Sequence, residues 1–184
     1  MLLAFILTLS AGIGSIVVVH LLLILEAKGL AVAVAVSIGT LFGPAQVGAR
    51  VIEGLFGVRY HPIWTMVASC AAMMLGLVAM TAVADVAVLT AAMIVYAAGY
   101  GIMWIARGTL PLALFGAERY PVLMGRLAFP SLIVQALAPF AAALIVERYG
   151  MAAMVAGLSV IAAVNVISVV ALWRLCGRAA HQSG

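Results

Sequence analysis

Long apolar stretches without a charged residue run along this 184-residue chain at positions 1–25, 29–49, 60–84, 86–106, 127–146 and 149–173, with every charge gathered between or beside them. An α-helix rises about 1.5 Å per residue, so about 20 apolar residues cross a hydrocarbon layer about 30 Å thick. Each stretch meets that length. The pattern predicts an all-α membrane protein of six transmembrane helices, over about 1–25, 29–53, 61–84, 86–108, 121–146 and 150–174, forming one domain over 1–184. A transmembrane barrel would alternate apolar and polar residues over about 10 positions, and no segment does so. The first stretch has no basic residues before it and stays apolar for longer than the core of a secretion signal, so it is expected to be a span.

Composition agrees: 68% of residues are hydrophobic and 8% are charged, with a mean hydropathy of +1.34, against roughly 25% charge in soluble domains. The net charge of +4 would suggest nucleic acid in a soluble protein. Here the basic residues lie beside spans, where they set orientation, and no nucleic-acid partner is expected; the bilayer is the expected surrounding. Lys28 and Arg148 fall on one side; Arg50, Arg59, Arg107, Arg119, Arg126, Arg174 and Arg178 fall on the other. Positive charge favours the cytoplasmic side, which places both termini there. Cys70 and Cys176 are expected to be unpaired thiols, since they form no CxxC pair.

Helix breakers are unevenly shared. The second span holds Gly39, Gly43, Pro44 and Gly48, the fourth Gly99 and Gly101, and the fifth Pro130 and Pro139. Gly39 and Gly43 form a GxxxG step, which suits close packing of another helix. The alternative is that kinked helices surround a cavity, where irregular backbone is tolerated. The stretch RGTLPLALFGAERYPVLMGR after the fourth span is expected to hold a helix end, a cytoplasmic turn and a new helix start.

Polar residues fall on stripes. Tyr96, Tyr100, Trp104 and Arg107 share one face of the fourth span. A tyrosine hydroxyl at mid-membrane needs a partner, so this face should look into the bundle or a wet cavity; Trp104 alone reads as an interfacial anchor. Gln46, Arg50 and Glu53 continue the glycine stripe of the second span. Arg50 either pairs with Glu53 one turn on or faces a cavity and attracts an anion. Gln135 lies between the two prolines of the fifth span. His20, inside the first span, is a candidate proton carrier or an interfacial histidine. Asn165 and the serines of the last span are expected to bond between helices. Every acid, Glu26, Glu53, Asp85, Glu118 and Glu147, stands at a span end, so no buried carboxylate is expected for proton coupling.

Enzyme signatures are missing: there is no Walker A loop, Gly14-Ser15 lacks the frame of an intramembrane serine protease, and His20, His61 and His181 are scattered, with no HExxH. No catalytic residue, metal or cofactor is expected. The strings GTLFGPAQVGARVIE, YAAGYGIMWIARGTLPLALFG and GRLAFPSLIVQALAPFAAALIVERYG resemble the C-terminal half of a bacterial major facilitator superfamily transporter, over nearly the whole chain. The resemblance implies a 3+3 inverted repeat in the bacterial inner membrane. It also implies a permease that moves a small organic molecule by alternating access, and a second six-helix half in the same or a separate chain. Gln46, Arg50, Tyr96, Tyr100, Gln135 and His20 become the cavity candidates. A degenerate copy of the family's cytoplasmic motif survives, with Glu53 as its acid and Arg59 as one basic residue. By the same resemblance Glu53 would face Arg126 at the start of the fifth span and act in gating. The alternative reading is a non-transporting scaffold or partner subunit.

Overall fold

The computed structural model describes residues 1–182 apart from the side chains of Val58 and 177–182, so the side chains of Arg178 and His181 lie outside the described residues. The described chain is helical throughout: α1 Leu2–Glu26, α2 Val32–Thr40, α3 Phe42–Phe56, a 3-10 turn Gly57–Arg59, α4 Pro62–Ala82, α5 Val86–Phe115 and α6 Tyr120–Gln182. Five stretches are long and apolar enough to cross a membrane: Leu2–Glu26, Val32–Phe56, Pro62–Ala82, Val86–Phe115 and Tyr120–Cys176. That is the composition of a multi-pass membrane protein.

Local chemistry sets the boundaries. Asp85 caps α5, its Oδ1 accepting from the N–H groups of Ala87 and Val88 at 3.0 and 3.1 Å. His61 caps α4 through Nδ1, ahead of Pro62 in the first helical turn. Pro44 has no N–H to give the Thr40 carbonyl, and the stretch Val32–Phe56 breaks beside it, at Leu41 between α2 and α3. The run α6 is interrupted at Gly150, whose φ of 85° and ψ of 166° are not helical; such a conformation suits glycine, which has no Cβ to clash. The helix end, turn and helix start expected within 107–126 fall at Phe115, Gly116–Arg119 and Tyr120, so that α5 runs through Pro111, beyond the expected span limit at 108.

The main helix pairs are α4 with α5, α1 with α6, α3 with α5 and α4 with α6. Glycine permits the closest seams. A Cβ on Gly76 would lie 2.7 Å from the Ala92 carbonyl, one on Gly99 2.8 Å from the Ser69 carbonyl, and one on Gly101 2.7 Å from the Gln46 carbonyl. The expected GxxxG contact is not made within the chain: Gly39 meets only Leu22, and Gly43 meets nothing within 4 Å. That face of α3 also exposes Val47, Val51 and Leu55.

Polar ties cross the core. Asn165 Nδ2 donates to Ser10 Oγ at 2.8 Å and Cys70 Sγ at 3.6 Å, joining α6, α1 and α4 as an interhelical bond should. Ser159 and Ser168 instead bond back to carbonyls of their own helix. The two ends of the bundle are distinct. At one, Lys28 Nζ donates to the Thr81 carbonyl at 2.9 Å, and a cleft brings Ile24 and Thr81 together with Met151 and Val155. At the other, the Trp64 and Trp173 rings lie 4.9 Å apart.

Candidate functional site

The stripe predicted on the fourth span forms a continuous aromatic ladder on α5. Tyr96 is fully buried, and its hydroxyl donates to the Ile13 carbonyl of α1 at a long 3.4 Å. Its ring lies nearly parallel to that of Tyr100, 6.5 Å away, with Phe42 of α3 about equally distant from both. Tyr100 packs on α1 at Gly14, where any side chain would collide with its ring. Trp104 meets Tyr100 edge-on at 6.2 Å and is 43% exposed, as an interfacial anchor would be. The Arg107 guanidinium lies 5.5 Å from the Trp104 ring centre, and its Nη2 donates at 3.2 Å to Ser131 Oγ of α6, a fully buried hydroxyl.

These side chains surround a small hollow. Its walls include Leu7 and Ser10 from α1, Tyr100, Trp104 and Arg107 from α5, and Gln135 from α6. The volume is about 20 Å³, room for about one water molecule. Polar groups from three helices therefore converge on one place, although the space is far below the several hundred Å³ of an ordinary small-molecule pocket.

Gln46 and Arg50 lie on α3, where it packs against α5 at Gly101. Arg50 Nε donates to the Gly101 carbonyl and Nη2 to Gln46 Oε1, both at 3.1 Å. The simpler expectation, an ion pair between Arg50 and Glu53, is therefore replaced. Because Gly101 has no side chain, α3 approaches α5 closely enough for Arg50 to reach its backbone, and Glu53 turns elsewhere.

Glu53 itself corrects a second expectation. Although it stands at a helix end, it is only 9% exposed, and its carboxylate accepts from the Tyr60 hydroxyl at 2.5 Å and Thr65 Oγ at 2.6 Å. The hydrogen bond to Glu53, then burial and the carboxylate's charge, push the Tyr60 phenol above its ordinary range. The three residues border a cleft of about 360 Å³ with Gly54, Gly57 and Thr109. Of the expected gating partners, Arg59 is exposed with its guanidinium 5.9 Å from the Phe56 ring centre, and Arg126 lies in a separate cleft with Glu118 and Arg119. Hydroxyls meet Glu53 where cations were expected.

Gln135 and Tyr100 thus share the hollow, Tyr96 of α5 and Gln46 and Arg50 of α3 lie outside its walls, and His20 is buried on α1 with Nδ1 3.1 Å from the Ile16 carbonyl of its own helix. Ser131, Tyr60 and Thr65 were not singled out from sequence. A hydroxyl within reach of an arginine or a buried acid has no one-dimensional signature. Among the described residues no group of three or more histidine, cysteine or acidic side chains gathers as a metal site would. No family model matches the chain, and no curated protein is significantly similar to it.

Proposed function

We propose that this chain is a six-crossing half of a facilitator-type secondary carrier in a bacterial inner membrane. In this reading both termini are cytoplasmic, and the half moves a small organic molecule by alternating access with a second six-helix half. The observation that carries the reading is the convergence of Ser10, Tyr100, Arg107 and Gln135 from three helices on one hollow. Polar side chains in a hydrocarbon setting face an interior or a wet path, and a carrier site lies between helices near the midplane.

Two further features support it. The part of α6 just after Gly150 lies beside Lys28, whereas Trp173 lies beside Trp64 at the opposite end of α4, as a sixth crossing requires. The neighbour relations also survive an exchange of α1 with α5, α3 with the part of α6 before Gly150, and α4 with the part after it. The seam of α3 on α5, at Arg50 and Gly101, then corresponds to that of α6 on α1, at Ser15 and Gln135. An inverted 3+3 repeat predicts such an exchange. The bare face of α3 around Gly43 is where the second half would dock, and Glu53, Arg59 and Arg126 would act in gating at the cytoplasmic end once it is present.

A second reading, a non-transporting scaffold or partner subunit, draws on the size of the hollow, which holds about one water. Reconstitution into liposomes, alone and together with any six-helix protein encoded by a neighbouring frame, separates the two. Protein-dependent flux of small organic solutes supports the carrier. Assembly with the partner but no flux in either arrangement supports the scaffold.

A further inference from the structure

Arg107 is the group whose chemistry the fold leaves unfinished. An arginine that only orients a span extends its head into water beside the lipid. Arg107 instead reaches across from α5 to the buried Ser131 hydroxyl and lies against Trp104, half-buried on the wall of the hollow that holds Ser10, Tyr100 and Gln135. Its only hydrogen bond among the described residues uses one of five N–H donors. No carboxylate compensates it: Glu53, the one buried acid, is occupied by Tyr60 and Thr65. Arg50 of α3, which reaches α5, is also met by neutral acceptors, the Gln46 amide and the Gly101 carbonyl. The hollow therefore carries positive charge in a setting of low dielectric, where a guanidinium gains most from a bidentate anion.

The rest of the wall is apolar and aromatic. Tyr100 and Trp104 stand edge to face, making an aromatic corner next to the charge, while the Gln135 amide and Ser10 hydroxyl can supply neutral hydrogen bonds.

We propose that this hollow, as it opens, takes small organic anions, with Arg107 holding a carboxylate or a similar oxyanion and Tyr100 and Trp104 holding the apolar body. The inference rests on the carrier reading for its purpose, and on the hollow alone for binding.

Three probes of one shape and different charge test it: benzoate, benzamide and benzylamine, added to the purified chain in detergent and read by thermal shift. Benzoate is expected to stabilise the protein in a concentration-dependent way and the other two are not. Arg107→Gln should weaken benzoate by about tenfold or more, the loss of a hydrogen bond to a charged group, while Arg174→Gln at the far end of α6 should leave it unchanged. In case Arg107→Gln does not fold, Arg107→Lys and the fluorescence of Trp104 in a Trp64→Phe/Trp173→Phe background give independent readouts. Benzoate should perturb that fluorescence, and less so with lysine at 107. Failure of benzoate to bind, equal binding of benzamide or benzylamine, or benzoate binding that ignores Arg107 overturns the proposal. Flux of labelled probes into liposomes separates the two readings. With the second half co-reconstituted, binding of benzoate without flux keeps the anion site and removes the carrier; flux of the neutral or cationic probe without preference for benzoate keeps the carrier and removes the anion site.

Discussion

Ser15 of α1 donates its hydroxyl to the backbone carbonyl of Gln135 in α6 at 2.5 Å, and Pro139 is the reason that carbonyl is available. In a regular helix the N–H four residues on would bond it, and proline has none. Within a bilayer no water stands ready to replace the bond, so a neighbouring helix must do so. The proline and the α1 seam are thus linked at one carbonyl, that of Gln135, whose side chain lies on the wall of the hollow.

Ser15→Ala should therefore destabilise the chain by about 0.6–2 kcal/mol, the range for a hydrogen bond between helices in a membrane. Pro139→Ala restores an N–H to the same carbonyl, so the serine becomes dispensable. A double-mutant cycle measured by reversible denaturant unfolding should show that most of the Ser15→Ala cost vanishes in the Pro139→Ala background. Equal costs in both backgrounds would contradict the linkage.

Glycine substitutions should separate seams used inside the chain from the one left bare. Gly99→Ala drives a methyl against the Ser69 carbonyl and opens the α4–α5 seam, a cost of about 1–3 kcal/mol for overpacking. Gly43→Ala meets nothing and should be neutral or stabilising by up to about 1 kcal/mol through helix propensity. If a second half docks on α3, Gly43→Ala reduces co-purification with it while leaving the isolated chain intact. Melting temperature and pull-down yield read the two effects separately.

The Tyr60 phenol is raised by its bond to Glu53. A phenol whose folded pKa exceeds its unfolded value contributes stability that is present below the unfolded pKa and is lost as pH rises through the folded one. Stability should thus decline above about pH 10 in part because of this contact. Tyr60→Phe should flatten that decline, and Glu53→Gln should return the phenol toward its ordinary range. Difference absorbance of tyrosinate between wild type and Tyr60→Phe measures the titration directly. Glu53→Gln should also change the conformational populations of the assembled carrier if the acid acts in gating.

Cys70 is buried beneath Asn165, while Cys176 is partly accessible at the end of the last apolar stretch. Maleimide should modify Cys176 readily in the native protein and Cys70 only after unfolding. With an impermeant maleimide in oriented vesicles, Cys176 should react from the cytoplasmic face alone.

Much of the architecture could be read in one dimension because hydrocarbon imposes length and polarity on each segment independently. The apolar runs, the Asp85 boundary and the stripe from Tyr96 to Arg107 needed no knowledge of neighbours. What needed the third dimension was pairing. Gly39 and Gly43 carry the spacing of a packing motif, yet the seams lie at Gly76, Gly99 and Gly101, because the partner helix decides which small residue is used. Glu53 stands at a helix end, where charge is normally solvated, and is buried only because Tyr60 and Thr65 fold over it. Arg50 found a backbone carbonyl in place of the acid one turn away, since the close approach at Gly101 brought that carbonyl within reach. Pro139 and Ser15 lie more than a hundred residues apart, so sequence spacing could show a freed carbonyl but not the hydroxyl that fills it.

Scanning cysteine accessibility tests the central claim most directly. In a Cys70→Ser/Cys176→Ser background, single cysteines at Ala11, Met103 and Gln135, on the walls of the hollow, are compared with Leu75 and Val160, which face outward from the bundle. Water-soluble thiosulfonate reagents should modify the first three in membranes, with rates that change when substrate or the second half is added, and should leave the last two unreacted. Unreactive cysteines at all three wall positions, or equal reaction at Leu75 and Val160, would mean that no shared aqueous path exists between these helices.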